Sequence, residues 1–432
     1  MLIQFSFKNF KCFKQEAKLS LIASNYDKST RGQENIFTVE KFGLKLLRSA
    51  IIYGANASGK TKLIEGLSFM RNFILTSSKE SQIDEPINVS PFLLSSETDK
   101  EPSTFEVIFI HKSVMYRYGF EVDNENVHSE WLYSKTNTKE VELFYRDFQK
   151  FEIHKTKFKV SDLISNDRIR PNALLLSVAA SWNDKLAKKL FDWFRNCNII
   201  SGLREDSYES YSVGRMQKNK ENKSKAIKFL KSADLGIEDL NVKTLDFDNL
   251  PKEFPEGLKE LIKKKRKEEK DVEFLSDVIT SHKKFDSNNL FEDYIEFSME
   301  NDESSGTKKY FALSGPILET LENGEILIVD ELANKLHPNL TCKLTEIFNS
   351  KDRNPKNAQL IFNTHDTNLL NSGLFRRDQI WFTEKNRYGA SSLYSLSDFK
   401  GVRKEEDYER NYIKGKYGAV PYLGDFDKLF TF

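Results

Sequence analysis

The sequence predicts an α/β fold with a mixed sheet, an antiparallel β insertion and a helical insertion. Three observations carry this. First, Gly54-Ala55-Asn56-Ala57-Ser58-Gly59-Lys60-Thr61 lies between the apolar run Ser49-Ala50-Ile51-Ile52-Tyr53 and residues apolar at helical spacing, Leu63, Ile64, Leu67, Phe69 and Met70. Second, the apolar run Glu325-Ile326-Leu327-Ile328-Val329 ends on Asp330-Glu331, and another over 358–363 ends on Thr364-His365-Asp366. Third, the text between these halves alternates apolar and polar residues, as antiparallel strands do.

Taken in order, Ile3, Phe5 and Phe7, then Leu19 and Leu21, read as an opening hairpin within 2–23. Residues 24–47 are polar and are expected to cross the surface as a loop. Phe105 to Tyr133 is strongly β, with Asp123-Asn124-Glu125-Asn126 as a turn, and β-like text runs on to about Val160. Leu174, Leu175, Val178, Leu186, Leu190, Trp193 and Phe194 mark helices over 173–200. From 205 to 285 lysine and glutamate dominate, with Lys263-Lys264-Lys265-Arg266-Lys267-Glu268-Glu269-Lys270 at the centre, which reads as a helical insertion with a solvated face. Strand text at 291–297, a helix over 310–321, the strand into Asp330, a helix over 338–349 and the strand at 358–363 restore an α/β rhythm, hence a mostly parallel sheet covered by helices. The expected organisation is an N-terminal lobe over 1–200 carrying an antiparallel β subdomain at about 100–160. A charged helical insertion over 201–285 follows, then a C-terminal lobe over 286–432.

Composition narrows the class. The 432 residues include 39% apolar and 12% aromatic residues, enough for a large core. A net charge of +1 argues against a uniformly basic sleeve for nucleic acid and leaves local basic faces open. Cys12, Cys197 and Cys342 are odd in number and form no C-x-x-C pair, so neither a disulfide framework nor a zinc site is expected, and a reducing cytoplasm fits. The N-terminus has a strand pattern rather than that of a leader, and no run approaches the length of a membrane span.

The glycine stretch fits G-x-x-x-x-G-K-[ST]. In such a loop the backbone N–H groups of Asn56, Ala57, Ser58, Gly59, Lys60 and Thr61 turn toward phosphate oxygens, and the next helix adds its positive end. Lys60 is suited to the β- and γ-phosphates and the Thr61 hydroxyl to Mg²⁺, so ATP with Mg²⁺ is the expected ligand. Asp330 lies where open α/β sheets bind ligands and is suited to hold the Mg²⁺; Glu331 is suited to activate the attacking water. His365, at the end of the next strand, is placed to sense the γ-phosphate. Ser304-Ser305-Gly306, before an apolar helix, offers a second anion site or an ordinary helix cap.

The order of phosphate loop, Ser-x-Gly, Asp-Glu and histidine resembles the ABC-type ATPase heads of the RecF, SMC and OLD group. More narrowly, the chain resembles the RloA/AbiL-like ATPases of bacterial abortive-infection and phage-defence operons. The stretches that carry this are Phe5-Ser6-Phe7-Lys8-Asn9-Phe10-Lys11-Cys12-Phe13, the glycine loop, 304–309, Asp330-Glu331-Leu332 with Leu336-His337-Pro338, 358–366, 376–382 and 414–421. The resemblance implies a head-to-tail dimer, or a higher homo-oligomer, with two ATPs between heads and each loop facing Ser304 and Gly306 of the other copy. It implies that Lys11 approaches the nucleotide, and it implies an effector nuclease or toxin from the same operon as partner. Two departures are Ala333 and Lys335, where such heads carry aspartate and serine. The Q-loop glutamine of such heads has no assigned position in this sequence: Gln82 is one candidate, and Pro91-Phe92 stands where it would be sought.

Three other readings stand beside the defence ATPase. One is a scaffold glued by ATP with incidental turnover. Another is a RecF/SMC-like DNA-repair ATPase, against which 205–285 is too short, and too broken by Pro251, Pro255 and Gly257, for a coiled-coil arm. The last is a nuclease in its own right, for which Asp425-Phe426-Asp427 is a lone D-x-D with no room for a further domain.

Overall fold

The computed structural model describes residues 1–25, 30–79, 85–204, 206–244, 257, 275–403 and 406–422. Two compact units divide the chain, Met1–Leu203 with Glu319–Phe432, and Arg204–Leu318.

In the first unit, β1 (Leu2–Lys8) and β2 (Ala17–Ser20) form the opening hairpin. The polar stretch expected to be loop instead contains a second hairpin, β3 (Ile36–Val39) and β4 (Leu44–Leu47). Its few apolar residues decide this: Phe37 and Leu46 pack with Ile3 and Ile110. Strand β5 (Ser49–Gly54), buried at every position, feeds the glycine loop and the helix Lys60–Thr76.

Strands β6 (Ser103–His111), β7 (Val114–Val122), β8 (Val127–Lys135), β9 (Glu140–Asp147) and β10 (Lys150–Ile153) form an antiparallel meander. It is not a sheet apart. Strand β6 pairs with β1, so seven strands run in the order β10-β9-β8-β7-β6-β1-β2. An alternating strand presents one face to a core, and the faces of β1 and β6 converge on one aromatic cluster. Phe7 and Phe10 meet Phe105, which also contacts Phe69 of the glycine-loop helix. The aromatic core therefore presses the meander onto the helix that opens the loop.

The second sheet of this unit contains β11 (Cys197–Ser201) and four later strands. These follow β12 (Ile237–Thr244), β13 (Leu275–Phe285) and β14 (Phe291–Ser298) of the other unit, and are β15 (Ile326–Asp330), β16 (Gln359–Asn363), β17 (Ile380–Lys385) and β18 (Ser391–Ser395). The order is β11-β15-β16-β5-β17-β18, parallel except for β18. A phosphate loop between a central parallel strand and a helix makes this a P-loop ATPase-type α/β fold. The loop, the ends of β11, β15 and β16, and the end of β17 all lie at one edge of this sheet.

The second unit holds the helices Asp206–Gln217 and Lys220–Lys231, the antiparallel sheet β12-β13-β14, and the start of the helix Ser305–Asn323. The stretch read as wholly helical thus includes strands β12 and β13. The β-branched runs Asn241-Val242-Lys243-Thr244 and Val278-Ile279-Thr280 favour extended backbone over a helix. The lysine-rich run 263–270, Gln82 and Asp425–Asp427 lie outside the described residues.

Candidate functional site

The glycine loop turns tightly against its neighbours. A side chain at Gly54 would meet Ser58 Oγ at 2.4 Å and the Thr383 carbonyl at 2.5 Å, so only glycine lets β17 come this close. Ser58 and Thr383 hydroxyls pair at 2.7 Å across that approach. Ala57 takes a left-handed conformation, φ +61°, which helps curl the loop. Lys60 opens the helix, and its ammonium caps the loop by donating to the Gly54 carbonyl at 2.9 Å and the Ala55 carbonyl at 3.2 Å. Burial lowers its pKa, while Glu331 and Asp330 oppose that shift.

Three parallel strands deliver the rest. Strand β15 ends on Asp330, whose Oδ1 accepts from the Thr61 hydroxyl at 3.0 Å and from the Asn363 amide. Asn363, fully buried at the end of β16, also accepts from the Glu331 N–H at 2.6 Å. One amide side chain thus fixes both acids, with Glu331 at φ +60°. Strand β11 supplies Gly202, whose N–H donates to the Asp330 carbonyl at 2.6 Å; a side chain there would meet the Glu331 carbonyl at 2.3 Å. His365 follows Asn363 by two residues and brings Nε2 to 3.3 Å from Glu331 Oε1. The Glu331 carboxylate is largely buried and His365 half-exposed, so the acid is shielded and the imidazole open to the cavity.

That cavity, about 250 Å³, is lined by Asn56 to Lys62, Cys12, Glu331, His365 and Lys385. Burial raises the pKa of the Cys12 thiol, so its thiolate is disfavoured. The structure therefore brings Asn56, Ala57, Ser58, Gly59, Lys60, Thr61, Asp330, Glu331 and His365 to one place. Lys11 does not line this cavity: its ammonium lies 3.9 Å from Glu65 and above the Phe10 ring. Ser304 and Gly306 belong to the other unit. There Ser304 Oγ accepts from the Thr307 N–H at 3.1 Å, a helix cap, at an exposed position.

Sequence reasoning missed Asn363, Gly202, Thr383 and Lys385. Asn363 carried a usable signal, a polar residue closing an apolar strand two places before the histidine. Gly202, Thr383 and Lys385 gave none, because sheet order alone makes them neighbours of the loop.

The Thr61 hydroxyl beside one carboxylate is the donor set that Mg²⁺ uses with nucleotide phosphates. Among the described residues no group of three or more His, Cys, Asp and Glu side chains is arranged to hold a metal, so a site made wholly of such side chains is not formed there. No helix among the described residues is long and apolar enough to cross a membrane.

The sequence matches the family described as "AAA domain, putative AbiEii toxin, Type IV TA system" over residues 49–371. The chain belongs to this family. No curated protein matches this AAA-domain chain in sequence. Solved structures similar to it include the SMC head domain from Thermotoga maritima, at 11% identity and TM-score 0.40, covering 91% of this chain and 98% of that one. The SmcHead bound to the C-winged helix domain of ScpA is similar at 12% identity and TM-score 0.42, covering 91% and 97%. A dimeric post-hydrolysis state of the ATP-binding cassette MJ0796 bound to ADP and Pi is similar at 11% identity and TM-score 0.28, covering 91% and 98%.

Proposed function

We propose that this AAA-domain protein binds ATP with Mg²⁺ and hydrolyses it to ADP and phosphate. The observation that carries the reading is the meeting of Thr61, Asp330, Glu331 and His365 around the glycine loop. The loop N–H groups and Lys60 hold the β- and γ-phosphates. Mg²⁺, when bound, is held by Thr61 and Asp330 and offsets charge on the phosphate oxygens. Glu331 orients a water toward the γ-phosphorus and accepts its proton. As the new P–O bond forms, the bond from the γ-phosphorus to the bridging oxygen breaks and ADP leaves with that oxygen. His365, beside Glu331, donates to a γ-phosphate oxygen and so distinguishes ATP from ADP.

We further propose that two or more copies pair head to tail, each loop completed by Ser304 and Gly306 of another copy. The exposed start of the helix Ser305–Asn323 supports this, since the positive end of a helix suits an anion. The role is that of a switch for a partner nuclease or toxin in anti-phage defence, as in RloA/AbiL-like ATPases, which agrees with a family described by a putative toxin and a type IV toxin–antitoxin system. Ala333, within the turn after Glu331, favours a second reading in which ATP acts as glue and turnover is incidental. The test is Mg²⁺-dependent phosphate release by the whole chain at a series of concentrations. The switch reading predicts that the rate per molecule falls on dilution and is lost in Lys60→Ala. A rate independent of concentration removes the shared site, and release by Lys60→Ala at the wild-type rate removes the ATPase reading itself.

A further inference from the structure

Lys385 lines the loop cavity, and the chemistry above gives it no role. Its place follows from strand β17, which is pinned on both sides. Thr383 pairs with Gly54 of β5 in parallel register, and Lys385 pairs with Ser391 of β18. Ser391 in turn donates its N–H to the Cys12 carbonyl at 2.7 Å. Side chains alternate along a strand, so neighbours in sequence face opposite ways. Thr383 turns its hydroxyl to Ser58 of the loop at 2.7 Å, whereas Glu384 accepts from the Ala419 N–H at 3.2 Å. Lys385, two places after Thr383, is back on the side of the loop.

The other lysines nearby are spoken for. Lys60 caps the loop carbonyls, and Lys11 and Lys62 share Glu65, at 3.9 Å and 2.7 Å. The half-buried Lys385 makes no hydrogen bond or ion pair through its ammonium with a described residue. A cation partly withdrawn from water and left without an anion is costly, so such a group suits an anionic ligand.

The strand order sets which part of that ligand it meets. In β15-β16-β5-β17, Lys385 lies across β5 from Glu331 and His365, yet all three line the cavity of about 250 Å³ over the loop. A triphosphate laid along that cavity with its γ end at Glu331 has its other end on the side of Lys385.

We infer that Lys385 is a phosphate-binding residue whose ammonium holds the part of the phosphate chain that ATP and ADP share, away from Glu331. The inference rests on the ATP reading above. Lys385 therefore sets affinity for substrate and product alike and takes no part in the chemical step.

The test is titration of the full chain with fluorescent analogues of ATP and ADP, beside thermal melting and steady-state kinetics. Lys385→Met keeps the stem and removes the charge, and Lys385→Arg restores it. Loss of one charged contact at a half-exposed site corresponds to about 5- to 50-fold in affinity. The expected result is weakening of that size in Lys385→Met, equal for both nucleotides, with KM raised, melting of the free protein unchanged and affinity recovered in Lys385→Arg. In the wild-type chain ADP should also shield Lys385 from an amine-acylating reagent, read by mass spectrometry, which needs no variant to fold. Wild-type affinity in Lys385→Met overturns the inference, as does a loss confined to ATP, which places the ammonium at the γ-phosphate instead. Equal acylation with and without ADP overturns it too, as does a lower melting temperature with the affinity of the folded fraction intact. A wild-type chain that binds neither analogue overturns the ATP reading as well, whereas binding by wild type and Lys385→Met alike removes only this inference.

Discussion

Thr61 Oγ1 donates to Asp330 Oδ1 over 3.0 Å, although the two residues lie 269 positions apart in the chain. This bond links the helix after the loop to the end of β15 and sets a hydroxyl beside a carboxylate. Asp330→Asn keeps the shape and removes the charge. Steady-state hydrolysis against Mg²⁺ concentration should show the half-maximal Mg²⁺ concentration raised by on the order of tenfold or more. An unchanged midpoint would mean that Asp330 does not face the metal.

Asn363 holds both acids with one side chain. Asn363→Ala frees Asp330 and leaves the Glu331 N–H without its partner, at a cost of about 1–3 kcal/mol in the placement of the pair. We expect kcat to fall by about 10- to 100-fold, with ATP affinity within about threefold of wild type. Equal loss in both quantities would show a general disturbance instead.

The site was only partly legible in the chain. The glycine loop, Asp330-Glu331 and His365 could be read because each is local: a short motif at the end of an apolar run. Asn363 showed only as a polar end to an apolar strand, and nothing in its spacing says that its two amide ends meet Asp330 and Glu331 at the end of the neighbouring strand. The β3–β4 hairpin was hidden for a related reason. Its polar composition reads as loop, and only the long-range meeting of Phe37 and Leu46 with Ile3 and Ile110 makes it a packed element. The merging of β1 and β2 with the meander is likewise a matter of which edges pair, which alternation along one strand does not specify.

Glu130 tests the meander's interior. It is fully buried, 3.7 Å from the equally buried Arg146, and it accepts from the Leu175 and Leu176 N–H groups and from the Tyr118 hydroxyl. Burial raises its pKa, with Arg146 the largest opposing influence. Replacing one member of a buried pair leaves the other uncompensated, so Glu130→Ala should cost about 3–5 kcal/mol in urea unfolding. A cost below about 1 kcal/mol would mean that neither the pair nor the bonds from Leu175 and Leu176 add net stability there.

His111 gives the pH dependence a sign. Burial is the main cause that lowers its pKa to about 4, and its Nε2 has no hydrogen-bond partner among the described residues. The folded state therefore favours the neutral ring. Its contribution is complete above the unfolded value of about 6.5 and is lost as pH falls from there to about 4. Melting of wild type minus His111→Gln should show this slope between those limits; parallel curves would place the ring in water.

The central claim is that Glu331 activates the water at a site built from the glycine loop, Asp330 and His365. Its most direct test is the turnover of Glu331→Gln beside wild type at saturating ATP and Mg²⁺, with bound nucleotide measured in parallel. We predict kcat reduced at least about 100-fold with ATP still held tightly. Turnover by that variant at the wild-type rate would contradict the account.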